Sequence, residues 1–161
     1  GEFTDNDIHH NGGRLYRNGI SIGHKDTDNL IARNHVWENV KNGICFRIKT
    51  EANGAHRNVM RENIIENNGS PESKVPANLA ADRRNEVLCA GVHIRGVTHD
   101  LTFERNTIRE TRPEGQRHQY NAFYLAKDVS RVRLIDNQVC DHPGGKVEDQ
   151  SGDPSNDLSG V

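Results

Sequence analysis

The sequence has few of the residues from which thick globular cores are built. Only 32% of its 161 residues are hydrophobic and 5% are aromatic, and the mean hydropathy is -0.87. No long apolar run occurs, so neither a membrane-spanning helix nor a signal peptide is predicted. Apolar residues at three- and four-residue spacing are also missing, which argues against amphipathic helices. A single domain of this composition can fold only if its apolar residues are placed periodically and stacked.

Charge and cysteine are equally weak signals. The net charge is -2, the basic residues form no block, and few aromatics lie among them, so nucleic-acid or acidic-lipid binding is not predicted. Cys45, Cys89 and Cys140 lie far apart without Cys-x-x-Cys spacing. That argues against a zinc site and a full disulfide framework. Free thiols are expected, and a single Cys45–Cys89 bridge is the alternative.

What the sequence does contain is a repeat. Five asparagines, spaced 28, 29, 43 and 31 residues apart, lie in the frame apolar-x-x-Asn-x-apolar: Asn6, Asn34, Asn63, Asn106 and Asn137. A second motif, small-apolar-x-apolar, alternates strictly with the first and occurs at 19–22, 43–46, 91–94 and 122–125. Short strands with period-two alternation in units of about 30 residues are typical of a solenoid.

The repeat predicts which side chains stack on one another. One buried row should contain Ile20, Ile44, Val92 and Phe123, and the next Ile22, Phe46, Ile94 and Leu125. Two outward rows should lie on the same strands: Ser21, Cys45, His93 and Tyr124, and beside them Gly23, Arg47, Arg95 and Ala126.

This pattern resembles the right-handed parallel β-helix of pectate-lyase-like proteins, in the repeat form of bacterial β-helix proteins. The resemblance covers roughly residues 3–142 and implies an all-β solenoid of about four to five coils, extracellular or periplasmic. In that family an asparagine ladder lies between the second and third strands of each coil, and the five asparagines match that position. Asparagine tolerates a left-handed backbone, and its amides can hydrogen-bond along the stack.

The predicted solenoid spans residues 1–142, and the Gly-, Asp-, Ser- and Pro-rich residues 143–161 are predicted to form a mobile tail. Longer turns are expected at 49–58, 69–90 and 112–121, with one helical turn at 78–84. The chain opens at Phe3 within a strand motif and without a cap. We therefore expect a piece of a longer solenoid, or self-association through uncapped ends.

The resemblance places a polysaccharide site on the outward rows, where long loops flank them. Arg47 and Arg95 would clamp carboxylates or sulfates of an acidic glycan. The alternative is that loop acids such as Glu51 or Asp82 neutralise them, or that they extend into water. Tyr124 and His24 are the further candidate substrate contacts.

A lyase would need a base beside the uronate carboxyl group, and His93 or Lys49 could serve. The alternative for His93 is an ordinary surface histidine, and a Cys45–His93 nucleophilic pair lacks an orienting third group. Asp26 and Asp28 could offer oxygens to Ca²⁺, although use in a turn is favoured.

The function predicted from the sequence is therefore a carbohydrate-interacting module for acidic polysaccharide. If it is an enzyme, a polysaccharide lyase or a related carbohydrate-active enzyme is expected, although the catalytic signatures of pectate lyases are not recognisable. No acidic pair for glycoside hydrolysis lies on the outward rows. The alternative is a non-catalytic structural or adhesive segment.

Overall fold

The computed structural model describes residues 1–12, 17–71 and 89–161. Short strands within these ranges form three parallel sheets of five strands. Sheet 1 contains β1 (Glu2–Thr4), β4 (Leu30–Ala32), β7 (Val59–Arg61), β10 (His99–Glu104) and β13 (Ser130–Ile135). Sheet 2 contains β2 (Asp7–His9), β5 (His35–Trp37), β8 (Ile64–Glu66), β11 (Thr107–Arg109) and β14 (Gln138–Cys140). The third, here called the motif sheet, contains β3 (Ile20–Ile22), β6 (Ile44–Phe46), β9 (Cys89–Ile94), β12 (Gln119–Leu125) and β15 (Val147–Asp149).

The chain visits the three sheets in turn, so each pass forms one coil and five coils are stacked. This confirms the predicted parallel β-helix. No α-helix occurs in the described ranges, and a 3₁₀ turn lies at Glu51–Asn53 within the predicted loop 49–58. No helix there is long and apolar enough to cross a membrane. The helical turn predicted at 78–84 lies outside the described residues.

Strand register confirms both predicted core rows. In the motif sheet Ile20 pairs with Ile44 and Ile44 with Val92, while Val92 pairs with Phe123. The neighbouring row contains the pairs Ile22–Phe46 and Ile94–Leu125. Phe103 of sheet 1 packs edge-to-face between two of these side chains, with ring centroids 6.3 Å from Phe46 and 5.2 Å from Phe123. Burying each such side chain contributes about 1.5–3 kcal/mol, so the thin core is held by stacking.

The asparagine ladder is confirmed in the turns between sheets 1 and 2. The Nδ2 groups of Asn6, Asn34, Asn63 and Asn106 donate to the Oδ1 of the next asparagine along the stack, at 2.9, 3.0, 2.9 and 2.9 Å. The backbone N–H of each donor residue bonds the same oxygen. The left-handed backbone, however, belongs to the residue before each asparagine, as at Arg33 (φ 54°) and Glu62 (φ 55°). Asparagine is therefore required for its hydrogen bonds, and the expectation about its own backbone was wrong.

A second amide ladder lies between sheet 2 and the motif sheet. Asn11 donates to Asn39 at 2.8 Å, Asn39 to Asn68 at 2.9 Å, and Asn68 to the Oε1 of Gln119 at 2.9 Å. This ladder was not predicted from the sequence. A signal was present, because Asn11, Asn39 and Asn68 each follow a ladder asparagine by five residues.

The left-handed turn residues form two columns whose charges alternate from coil to coil. The first column contains Asp5, Arg33, Glu62, Arg105 and Asp136. The second contains Asp28, Arg57, Asp100 and Arg131. Ion pairs join neighbours within them, including Arg33–Asp5 at 2.7 Å and Arg57–Asp28 at 2.7 Å. Single exposed pairs of this kind contribute little stability, so the columns chiefly favour one stacking order.

Residues 143–161 continue the solenoid, which corrects the predicted boundary at residue 142. Val147–Asp149 forms β15 and pairs with Phe123–Leu125 of β12. Asp157 forms an isolated parallel β-bridge with Arg133 through the backbone. The backbone N–H of Asn137 donates to the Gly160 carbonyl at 2.8 Å. This segment therefore packs on the last coil. Cys45, Cys89 and Cys140 form no disulfide with one another, as the favoured interpretation expected.

Candidate functional site

The predicted outward row on the motif sheet is aligned, but only Ser21 is exposed and the other three residues are buried. Register places Ser21 beside Cys45, Cys45 beside His93, and His93 beside Tyr124. The exposed fraction is 0% for Cys45, 1% for His93 and 7% for Tyr124. The interpretation of His93 as an ordinary surface histidine is therefore wrong.

A cleft of about 210 Å³ opens on this face of the solenoid. Its lining combines apolar, aromatic and charged side chains: Ile48, His93, Arg95, Gly96, Tyr124, Ala126, Lys127 and Asp128. The rings of His93 and Tyr124 meet edge-to-face, with centroids 4.8 Å apart. Lys127 and Asp128 were not predicted, although they form the turn that follows the fourth motif strand after Ala126.

His93 is the most unusual group in this cleft. Its Nδ1 is buried and has no hydrogen-bond partner among the described residues. Burial lowers the pKa of His93 from 6.5 to about 3, and the positive charge of Arg95 acts in the same direction. The imidazole is therefore neutral at neutral pH. An orphaned buried nitrogen is uncommon in folded proteins, because it loses its bond to water without gaining another.

Arg95 extends from the cleft toward the preceding coil, which contains Cys45 and Phe46. Its Nη2 donates to the Sγ of Cys45 at 3.2 Å, and its Nε lies 3.4 Å from the Phe46 carbonyl. Burial raises the pKa of the Cys45 thiol, and nearby Arg95 only partly offsets this. Cys45 is therefore held as a thiol, which is a poor nucleophile. This disfavours the Cys45–His93 nucleophilic pair.

The other predicted site residues lie outside the cleft. A Cβ added to Gly23 would lie 3.1 Å from the Cβ and 3.4 Å from the Nε of Arg47, so that arginine runs over Gly23 of the neighbouring coil. Lys49 Nζ donates to the Nε2 of His24 at 2.7 Å, and neither residue lines the cleft. The structure thus brings His93, Arg95 and Tyr124 together, whereas Arg47, Lys49 and His24 lie beside them.

The two aspartates considered for Ca²⁺ both have partners. Asp26 Oδ2 accepts the Gly23 N–H at 2.8 Å. Asp28 accepts from Arg57 Nε at 2.7 Å and Nη2 at 2.8 Å, and these bonds lower its pKa to about 2. Their contacts are those of turn residues.

Comparisons with known proteins add no relative: no family model, curated protein or solved structure matches the chain. The fold alone therefore defines its class, which is that of parallel β-helix proteins with buried amide ladders.

The buried His93 predicts a pH-dependent stability. Below about pH 6.5 the unfolded chain binds a proton that the native imidazole, with a pKa near 3, does not bind. The free energy of unfolding should therefore decrease as the pH is lowered, by about 1 kcal/mol per pH unit between about pH 6 and pH 4. His142, whose pKa burial lowers to about 4, acts in the same direction. Urea denaturation across this range measures the slope.

The matched variants are His93→Gln and His35→Gln. The former should reduce the slope, because it removes the group that titrates only in the unfolded state. His35 lies on sheet 2 with its Nε2 2.8 Å from Glu66 and is not fully buried. An unchanged slope in His93→Gln would contradict the assignment.

Proposed function

We propose that the protein is a pectate-lyase-like β-helix that binds an acidic polysaccharide in the cleft containing His93. The observation that carries this proposal is the orphaned, neutral imidazole of His93 in a cleft that also contains Arg95 and Lys127. A ligand that offers both anionic and hydroxyl groups would satisfy all three side chains. An extracellular or periplasmic location belongs to the same proposal.

The chemistry of the lining suits a uronate or sulfated sugar. Arg95 is partly buried and Lys127 is exposed, so both could donate to a carboxylate or sulfate group. The unpartnered nitrogen of His93 is buried, so a sugar hydroxyl would bond it only by entering deeper than solvent does. The ring of Tyr124 offers an apolar contact. The volume of about 210 Å³ is below the roughly 300–1,000 Å³ of pockets for drug-sized ligands. The cleft therefore suits one sugar unit rather than a long segment.

The contacts of the candidate bases favour binding alone over lyase activity. A lyase base needs a pKa near the working pH, whereas burial holds the pKa of His93 near 3. The alternative base, Lys49, hydrogen-bonds His24 outside the cleft lining. A lyase remains the enzymatic alternative, and a purely structural or adhesive segment remains the non-binding one.

The test is binding to a uronate polymer and to a neutral polysaccharide, at low and high salt, with any unsaturated product recorded. We expect salt-sensitive binding of the uronate polymer only. Lys127→Gln and Arg95→Ser should each weaken it about tenfold or more, because each removes a charge-assisted hydrogen bond worth about 1.5–3 kcal/mol. Arg33→Gln, which removes an exposed positive charge in a turn between sheets 1 and 2, is the matched control.

The variant Arg47→Ser distinguishes binding in the cleft from the clamp of Arg47 and Arg95 that the sequence predicted. Because Arg47 does not line the cleft, its loss should weaken binding less than the loss of Arg95. Equal binding of neutral and acidic polymers, or unchanged affinity in both cleft variants, would refute the proposal. Release of unsaturated product would show that the protein is a lyase and would replace the proposal of binding alone.

A further inference from the structure

We propose that Glu51, His56 and His99 form a Zn²⁺ site at the turn that leads from the motif sheet into sheet 1. One carboxylate oxygen and two imidazole nitrogens, one from each residue, lie within 4.8 Å of one another. Glu51 is exposed in the 3₁₀ turn, His56 is buried, and His99 begins β10. This site is separate from the cleft and does not depend on the proposed function.

His99 lies between two carboxylates. Its Nε2 is 2.7 Å from Glu51 Oε1, and its Nδ1 is 2.6 Å from Asp100 Oδ2. A neutral imidazole carries one N–H, so it can donate to only one of them and would turn a lone pair toward the other. The arrangement is satisfied by a second proton on the ring, or by a metal ion between Nε2 and Glu51. This charge pattern is the first observation that points to a cation.

The surroundings of His99 already have the form of an outer shell around a metal site. Asp100 accepts from His99 Nδ1, and Arg131 in turn holds Asp100, with its Nε 2.6 Å from Asp100 Oδ1 and its Nη2 3.1 Å from Oδ2. A carboxylate on the non-ligating nitrogen fixes the tautomer of a metal-binding histidine and makes it more basic. The arrangement therefore leaves Nε2 of His99 as the ligand atom.

His56 is held in a matching way. Its Nε2 donates to the backbone carbonyl of Glu51 at 2.8 Å, so its Nδ1 carries the lone pair and accepts only a 3.3 Å bond from the His99 N–H. The two rings are nearly parallel, with centroids 3.7 Å apart and planes at 17°. A single ion cannot lie in both ring planes in this geometry. Zn²⁺ binding should therefore tilt the rings apart, and the exposed Glu51 can follow.

The donor set selects the type of metal. Two imidazoles and one carboxylate suit Zn²⁺ and similar borderline ions, whereas Ca²⁺ and Mg²⁺ prefer sites built from oxygen. Three protein ligands leave the fourth tetrahedral position for water.

The experiment is titration of the whole chain with Zn²⁺ by calorimetry, and with Co²⁺ by visible absorption. We expect one Zn²⁺ per chain, a tetrahedral Co²⁺ spectrum, and retention of the site in millimolar Ca²⁺. Glu51→Gln changes only an exposed side chain, so folding should survive while affinity falls. His99→Gln should abolish the site, and Asp100→Asn should weaken it about 10–100-fold through the outer shell.

The control is His35→Gln, which removes a histidine that also contacts two carboxylates, on sheet 2. It should leave stoichiometry and affinity unchanged. Thermal unfolding in a chelator shows whether each variant is folded, and Glu51→Gln keeps the test decisive if His99→Gln is not. Absence of Zn²⁺ binding, or equal binding in wild type, Glu51→Gln and Asp100→Asn, would overturn the proposal.

Discussion

Asn63→Leu should lower the free energy of unfolding by about 3 kcal/mol or more. Asn63 Oδ1 accepts from the backbone N–H and the Nδ2 of Asn34, both at 3.0 Å. Its Nδ2 donates to the Ile31 carbonyl and to Asn106 Oδ1, both at 2.9 Å. Leucine has a similar size but leaves several buried groups without partners, each at a cost of about 1–3 kcal/mol. Chemical denaturation of the two proteins measures the difference.

The same substitution at Asn6 is the matched control. Asn6 belongs to the same ladder and donates to Thr4 and Asn34, but its Oδ1 accepts no hydrogen bond from the described residues. Asn6→Leu should therefore cost clearly less, about 1 kcal/mol. Equal losses at the two positions would show that the ladder does not carry stability in the way its geometry indicates.

Glu110→Ala should destabilise the fold by about 3 kcal/mol, because it removes a fully buried carboxylate and leaves its partners behind. Arg112 donates to Glu110 through Nε at 2.8 Å and through Nη2. The backbone N–H groups of His118 and Gln119 donate to it at 3.1 and 2.9 Å. Breaking a buried ion pair by removing one partner typically costs about 3–5 kcal/mol. The lower end applies because Arg112 keeps 21% of its side chain exposed.

The comparison for this variant is Glu114→Ala, in the same loop but exposed. It should change stability by no more than about 0.5 kcal/mol. Denaturation at neutral pH is the right measurement. Although burial raises the pKa of Glu110, the bonds from Arg112 and Gln119 outweigh it, so the net pKa is lowered and the group is ionised there. A small loss in Glu110→Ala would mean that water replaces the carboxylate.

The solenoid could be predicted because its requirements repeat along the chain. Each coil needs an amide at the turn between sheets 1 and 2 and an apolar side chain at alternate strand positions, and both show as fixed frames around Asn34 or Ile44. The second ladder repeats as well, five residues after the first. In the fourth coil, however, Gln119 takes the place of an asparagine in this ladder, which obscures the pattern. Side-chain chemistry was therefore predictable where it is dictated by stacking.

The candidate sites depend on contacts that no local pattern encodes. Alternation places His93 on the outer face, yet its burial and its unpartnered nitrogen depend on neighbouring parts of the chain. Likewise His56 and His99 are 43 residues apart, and only the stacking of coils brings their rings together. The length of the turn at 49–58 is visible in the sequence, but its pairing with His99 is not. Fold was therefore easier to predict than chemistry.

The alternating charges of the turn columns give the solenoid a period of two coils. If the coil containing Glu62 were removed, Arg33 would lie against Arg105, and in the other column the loss of Arg57 would bring Asp28 against Asp100. Loss of two adjacent coils would restore opposite charges throughout. A solenoid of this kind can thus change length with its turns still complementary only by an even number of coils, so the charge pattern has a period of about twice the visible repeat.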